Sequence, residues 1–354
     1  MRSTRLKESN FKRFMTVRPA ATAPQPESVV KTYYFQGEER LPLVVEPAGP
    51  YADLSFWASR NLDYIERELL EHGAILFRNF GIRSVPAFDK FTKVFTQGLM
   101  EYTEPSTPRG EVGDRIYNSS EYPANQFIPL HNEMSYAHVW PMKIWFYCDQ
   151  AAREGGETPI ADSRKVFALM DPEARELFVE KQVMYVRNFG DGVGLPWQTV
   201  FASNKREDVE ASCIREGMQF EWRNDNRLRV SYVRPAFATH PKTGETVWFN
   251  QAHLHHHMSL PPALREALLE TTEDKEYPLD INARYGDGTR IEIRELTAIH
   301  DAFKRAAVRF PWQQGDILLV DNMLIAHGRA PFVGPRRILL AMGEPSASGP
   351  GGVL

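Results

Sequence analysis

Short apolar runs rich in β-branched and aromatic residues recur along this chain, and each is followed within a few residues by Gly, Pro, Asn or Asp. They include Ala74–Phe80, Ile144–Asp149, Gln182–Arg187, Leu228–Val233, Thr246–Phe249, Ile317–Asp321 and Arg337–Met342, preceded by Val29–Tyr34 and Leu41–Val45. Runs of this length with such punctuation predict strands of a β-sandwich or jelly roll. Helical spacing appears in fewer places. Leu54–His72 carries Leu54, Trp57, Leu62, Ile65 and Leu69 on one face and stops at Gly73, a residue suited to a helix C-terminus. Val85–Gln97, Ser163–Glu180 and Pro261–Glu270 read as further helices. Helices and strands do not alternate one for one, so a doubly wound parallel sheet is not expected. The predicted class is mostly β with flanking helices.

Composition narrows the function. A chain of 354 residues can bury a large core. Its net charge of −4 lacks the basic excess of a nucleic-acid binder. No apolar run approaches the roughly 18 residues of a membrane span. Two cysteines, Cys148 and Cys213, are too few for a disulfide scaffold and fit a reducing, cytoplasmic setting. Residues 2–18 are basic, with Glu8 as their one acid, but the next segment is Ala20–Pro26 (AATAPQP) rather than the apolar stretch of a secretory leader. A frayed tail is the expectation, and a transit peptide fits the same composition. Ser346–Gly352 reads as a flexible tail. The expected organisation is an extension with a first strand over 1–45, one domain over 46–345, and a tail over 346–354.

The segment Ile128–Tyr136 (IPLHNEMSY) is the richest in chemistry. In an extended strand His131 and Glu133 share a face and Asn132 points away. Two histidines and a carboxylate on one side of an iron, with the other positions open, suit non-haem Fe(II) oxygenases. An H-x-E pair alone arises often by chance. The candidate third ligand is His327, which follows the apolar run Ile317–Asp321 and the pair Asp321-Asn322. About ten residues later Arg336 and Arg337 open an apolar strand. An arginine facing a pocket there would grip a carboxylate in bidentate fashion, and the other of the pair is then a surface residue.

On these residues the chain resembles the taurine dioxygenase (TauD/TfdA) family of Fe(II)- and 2-oxoglutarate-dependent oxygenases, over about residues 70–345. The family pattern of H-x-D/E, a distant His and a later Arg is matched by His131, Glu133, His327 and Arg337. A Thr after a Gly-Gly pair is matched in Gly155-Gly156-Glu157-Thr158. The wording of Glu121-Tyr122-Pro123, Leu130–Tyr136 and Trp248–Leu254 looks most like the clavaminate synthase-like and syringomycin-type aspartyl hydroxylase group. The resemblance implies a double-stranded β-helix core, with Fe(II), 2-oxoglutarate and O2 as cofactor and cosubstrates. It implies hydroxylation of an amino acid, free or carrier-bound, in natural-product and antibiotic biosynthesis. Arg337 with Thr158 would hold the far carboxylate of 2-oxoglutarate. Glu133 stands where the family more often has Asp. Related halogenases have Ala or Gly there, so oxygen rather than halogen transfer is implied. A second arginine four positions after the first is absent, since that position is Ala341; Arg336 or Arg329 is left to make the contact.

Other features carry less. His253-x-His255-His256-His257 lacks the following carboxylate of a cupin and reads as structural. Gly190-x-Gly192-x-Gly194 opens no helix and is no dinucleotide fingerprint. Asn118, Glu121, Asn132, Arg234, Asn250 and Gln251 are candidates for a substrate wall. A desaturase, cyclase or epimerase would use the same site, and a non-catalytic cupin-like binding protein is the rival from another class. No nucleic-acid or membrane partner is expected, and self-association is left open.

Overall fold

The computed structural model describes residues 29–35, 40–49, 52–101, 110–120, 122–190 and 194–347. The basic N-terminal segment, Glu121 and the last residues of the expected C-terminal tail lie outside these. The backbone is built around a sheet of eight strands. Its centre is the long strand Val139–Gln150, flanked by Ile317–Asp321 on one side and Arg337–Ala347 on the other. Val30–Tyr34, Leu43–Pro47 and Ala74–Phe77 extend one edge. Only the pairing of Leu43–Pro47 with Ala74–Phe77 is parallel among the described strand pairs; the others are antiparallel, as a jelly roll requires.

Period-two alternation sorts the side chains of this sheet onto two cores. Ile144, Phe146, Leu318, Val320, Ile338, Leu340 and Met342 face one core. Trp145, Tyr147, Ile317, Leu319, Leu339 and Ala341 face the other, where the helices around Trp57, Leu69, Phe88 and Phe91 cover them. The first core is closed by a smaller sheet in the order Ala307–Val308, Ile160–Asp162, Ile325–Arg329, Ile128–His131. A further antiparallel sheet, Gln219–Trp222, Leu228–Arg234, Val183–Phe189 and Ile281–Tyr285, packs onto the same core through Tyr185, Val230 and Ala283.

Several expected helices are broken by local chemistry. Leu54–His72 is two helices, Leu54–Arg60 and Leu62–His72, separated at Asn61. The second does end on Gly73, at φ 74°, whose N–H reaches Leu69 O. Ser163–Glu180 splits into Ser163–Leu169 and Pro172–Lys181, because the residue before a proline is driven out of the helical region. The amphipathic helix Ile293–Ala306 was not expected, although Leu296, Ile299 and Phe303 form its buried face and Glu292 and Glu295 form a reciprocal cap at its start. No described helix is long and apolar enough to cross a membrane.

Candidate metal and cosubstrate site

The smaller sheet brings the two distant histidines together. Ile325–Arg329 runs antiparallel to Ile128–His131 with His327 opposite His131, and their ring centroids are 4.7 Å apart. The strand ends at His131, so Glu133 reaches the site from the following turn rather than from an extended strand. Ligand atoms of His131, Glu133 and His327 all lie within 4.8 Å of one another, with His327 Nε2 3.7 Å from Glu133 Oε2. His131 Nδ1 lies 2.8 Å from Pro129 O. A proton donated there leaves the lone pair on Nε2 for a metal, the usual way a backbone carbonyl orients a ligating imidazole. His327 Nδ1 is buried without a hydrogen bond from the described residues, and Phe146 packs on its ring at 4.9 Å. Two imidazoles and one carboxylate on one wall of a cavity are a donor set that fits Fe(II).

Asn322 fixes the turn that carries Glu133. Its Oδ1 accepts from Glu133 N–H at 2.8 Å, and its Nδ2 donates to Glu133 O at 2.8 Å and Pro141 O at 2.9 Å. Asn132, pointing away from the cavity as expected, donates to Asn322 O at 2.7 Å and to Ser163 Oγ at 3.0 Å. The neighbouring Asp321 accepts from Met323 and Leu324 N–H at 3.0 Å each and meets His240 Nε2 at 3.1 Å. The sequence pair Asp321-Asn322 is therefore a scaffold for both ligand-bearing strands.

The ligand set opens into a cavity of about 830 Å³ that is also lined by Thr158, Gln251, His255, Asp280, Arg329 and Arg336. Here one expectation is corrected. Arg337 does not face the cavity: its guanidinium pairs with Asp149 at 3.0 Å and its side chain is 43% exposed. Arg336 faces the cavity instead. It is in phase with Ile338, Leu340 and Met342, which point to the same core, whereas Arg337 follows Leu339 and Ala341 to the other side. A register shift between Arg337 and Ile338 marks the entry to the strand.

Arg336 Nε donates to Gly156 O at 2.9 Å, and its guanidinium lies 5.5 Å from the Phe332 ring centroid. A Cβ on Gly156, whose φ is 74°, would stand 3.0 Å from Arg336 Cδ, so the Gly-Gly pair makes room for this side chain. Among the described residues no carboxylate forms an ion pair with Arg336, and burial, with Arg329 nearby, brings its pKa down to about 10. It remains charged at neutral pH and lacks an anion. Thr158 Oγ1 accepts from Trp312 Nε1 at 3.0 Å. Arg329 is not a free second arginine: it donates to Tyr122 O at 2.7 Å, Pro123 O at 2.5 Å and Gln126 O at 2.8 Å, tying down the loop over the cavity.

Of the candidate substrate residues, only Gln251 lines this cavity, and both ends of its amide are engaged. Nε2 donates to Asn132 O at 2.7 Å and Oε1 meets His255 Nε2 at 3.2 Å. Asn250 is held by Ala236 O and Ala252 N–H. Arg234 lies against His138 Nδ1 at 3.0 Å, away from the cavity wall. Asn118 pairs with Leu339 in the large sheet, and Glu121 lies outside the described residues. The histidine cluster is partly a cavity feature after all. His255 is in the wall, and burial, with Arg187 adding, lowers its pKa to about 3, which keeps the ring neutral. His253 is structural, its Nε2 2.8 Å from Leu130 O.

The model of the taurine catabolism dioxygenase TauD, TfdA family matches residues 39–342. The chain belongs to the TauD/TfdA dioxygenase family. It is 40% identical over 281 residues to the dapdiamide synthesis protein DdaC of Enterobacter agglomerans, covering 79% of this chain and 85% of that one. It is 30% identical over 292 residues to a clavaminate synthase-like protein of Arabidopsis thaliana, covering 79% and 84%. The structure of PvcB from Pseudomonas aeruginosa superposes with a TM-score of 0.55 at 16% identity, over 92% of this chain and 94% of that one, and shares the fold. As a TauD/TfdA enzyme the protein is an oxidoreductase that uses Fe(II), 2-oxoglutarate and O2 on a small-molecule substrate. The jelly-roll expectation holds.

Proposed function

We propose that this TauD/TfdA dioxygenase hydroxylates an unactivated C–H of an amino acid, free or as a carrier-bound aminoacyl group, in the biosynthesis of a natural product. His131, Glu133 and His327 hold the iron, and Arg336 with Thr158 holds the far carboxylate of 2-oxoglutarate. The observation that carries the reading is the pairing, in one cavity, of a His-Glu-His set with a half-buried guanidinium that forms no ion pair with a carboxylate among the described residues. The similarity to DdaC, a protein named for dapdiamide synthesis, supports the biosynthetic setting.

Bound iron supplies O2 activation coupled to oxidative decarboxylation of 2-oxoglutarate to succinate. The chain's own residues place the reactants. Pro129 O holds the His131 ring by its Nδ1, and Asn322 sets the backbone of Glu133. Arg336 sits on the far wall, where a charge-assisted bidentate pair with a carboxylate is strong because water is scarce. Phe146 and Ile128 close the cavity with apolar surface. The chemistry needs no general base, and neutral His255 is suited to hydrogen bonding rather than to carrying charge. Glu133 fills the coordination position that a halogenase leaves for halide, so the product should gain one oxygen atom. Turnover under ¹⁸O₂ with excess chloride tests this by mass spectrometry. A product carrying one labelled oxygen is expected. A chlorinated product, or an unsaturated one without label, would contradict hydroxylation.

A further inference from the structure

The cavity wall holds a second ionisable side chain that forms no ion pair among the described residues. Asp280 lines the same cavity as the three metal-ligand candidates, just before the strand Ile281–Tyr285. Its Oδ1 accepts from Ile281 N–H at 2.8 Å, and its Oδ2 accepts no hydrogen bond from the described residues. No Lys, Arg or His among the described residues forms an ion pair with it. Arg187, on the adjoining strand Val183–Phe189, is near enough to favour the charged form. Gly194 passes close on another side: a Cβ there would stand 2.9 Å from Oδ2, so a residue other than glycine at that position would crowd the carboxylate. Burial raises the Asp280 pKa, with Ile281 N–H and Arg187 opposing.

A partly buried carboxylate is acceptor-only and costly to leave unpaired. The cavity is thus charged at two places: Arg336 awaits an anion, and Asp280 awaits a cation or a charged donor. 2-Oxoglutarate, an anion, answers Arg336 and is repelled by Asp280. The group that answers Asp280 belongs to the other reactant. We propose that Asp280 binds a free primary ammonium of the substrate, so that the enzyme accepts amines and rejects their N-acylated counterparts. The assignment rests on the dioxygenase site described above and adds the chemical class of group that orients the substrate in it.

The test uses the full chain loaded with Zn(II) and 2-oxoglutarate, so that binding is read without turnover. The probes are a panel of L-amino acids, each paired with its N-acetyl derivative, and binding is followed by saturation-transfer NMR and calorimetry. Loss of a charged hydrogen bond predicts roughly a tenfold or greater preference for the free amine. Asp280→Asn should abolish that preference, and Asp280→Glu, which keeps the charge, should retain part of it. The proposal is overturned if no member of the panel binds, if N-acetyl derivatives bind as well as free amines, or if Asp280→Asn keeps the preference. A parallel anaerobic titration with Fe(II) and 2-oxoglutarate separates the two levels. Absence of the visible charge-transfer band in the wild-type protein would count against the dioxygenase site itself. Its loss only in Asp280→Asn would make Asp280 a structural residue and overturn the ammonium assignment.

Discussion

Adjacent residues of identical chemistry have opposite fates in this site. Arg336 and Arg337 differ only in which side of one strand they leave, and the structure gives the cavity to Arg336 and the surface to Arg337. Arg336→Ala should weaken 2-oxoglutarate binding by about 3 kcal/mol, or roughly 150-fold, because a charge-assisted pair in a half-buried cavity wall is removed. Arg337→Ala should change it by less than about 0.5 kcal/mol, as for other exposed pairs. A 2-oxoglutarate titration of both variants decides between them, and the reverse pattern would put the cosubstrate on the wrong face of the sheet. Sequence alone offered the arginine pair but not its phase. The clue was present in the alternation of the strand: once Ile338, Leu340 and Met342 are known to face the interior beside the histidines, Arg336 follows by parity. What was missing was a way to tell that face from the equally apolar one formed by Leu339 and Ala341, since both sides of this sheet are covered.

The turn after Ile317–Asp321 works as a single element. Asn322 satisfies both polar atoms of its side chain on the backbone of Glu133 and Pro141, so it couples His327, five positions on, to Glu133. Asn322→Ala should destabilise the fold by about 1–3 kcal/mol, because Glu133 N–H is left buried and unpaired. It should also weaken Fe(II) binding by roughly 10- to 100-fold, as losses behind a metal ligand do. Urea unfolding and a metal titration read the two effects separately; a variant that loses stability but keeps wild-type iron affinity would show the turn to be structural only. The candidate metal ligands, which the structure brings within 4.8 Å of one another, are legible in sequence because their spacing and residue types are restrictive. The helix Ile293–Ala306 is less legible, although its capping box and apolar spacing are present, because short strand-like runs surround a segment whose longer period is the weaker signal. The geometry of Glu133 was misread for a related reason: the extended strand stops at His131, and Met134 takes a positive φ of 55°.

At the scale of the whole molecule, the core on the histidine side of the large sheet adjoins the site, so buried titratable groups there link stability to pH. His253 is 1% exposed, and burial, with the neighbouring His300 adding, lowers its pKa to about 3. The folded state therefore binds fewer protons than the unfolded one between about pH 6.5 and pH 3. Above pH 6.5 the group contributes no penalty; as pH falls the penalty grows, reaching about 2 kcal/mol at pH 5 from this residue. Urea midpoints measured from pH 7 to pH 5 should fall accordingly, and His253→Gln should flatten that slope. A slope unchanged by the substitution would place the acid sensitivity elsewhere. On the proposed function, residues far apart in sequence, His131, Glu133 and His327, form one iron centre whose cosubstrate is held across the cavity by Arg336. Anaerobic titration of the full chain with Fe(II) and 2-oxoglutarate, followed by visible absorption, tests it most directly. A charge-transfer band that requires both additions is expected in the wild-type protein, absent in His131→Ala and His327→Ala, and shifted to much higher 2-oxoglutarate concentration in Arg336→Ala. A wild-type protein that gives no band, or a His327→Ala variant that keeps it at full strength, would contradict the claim.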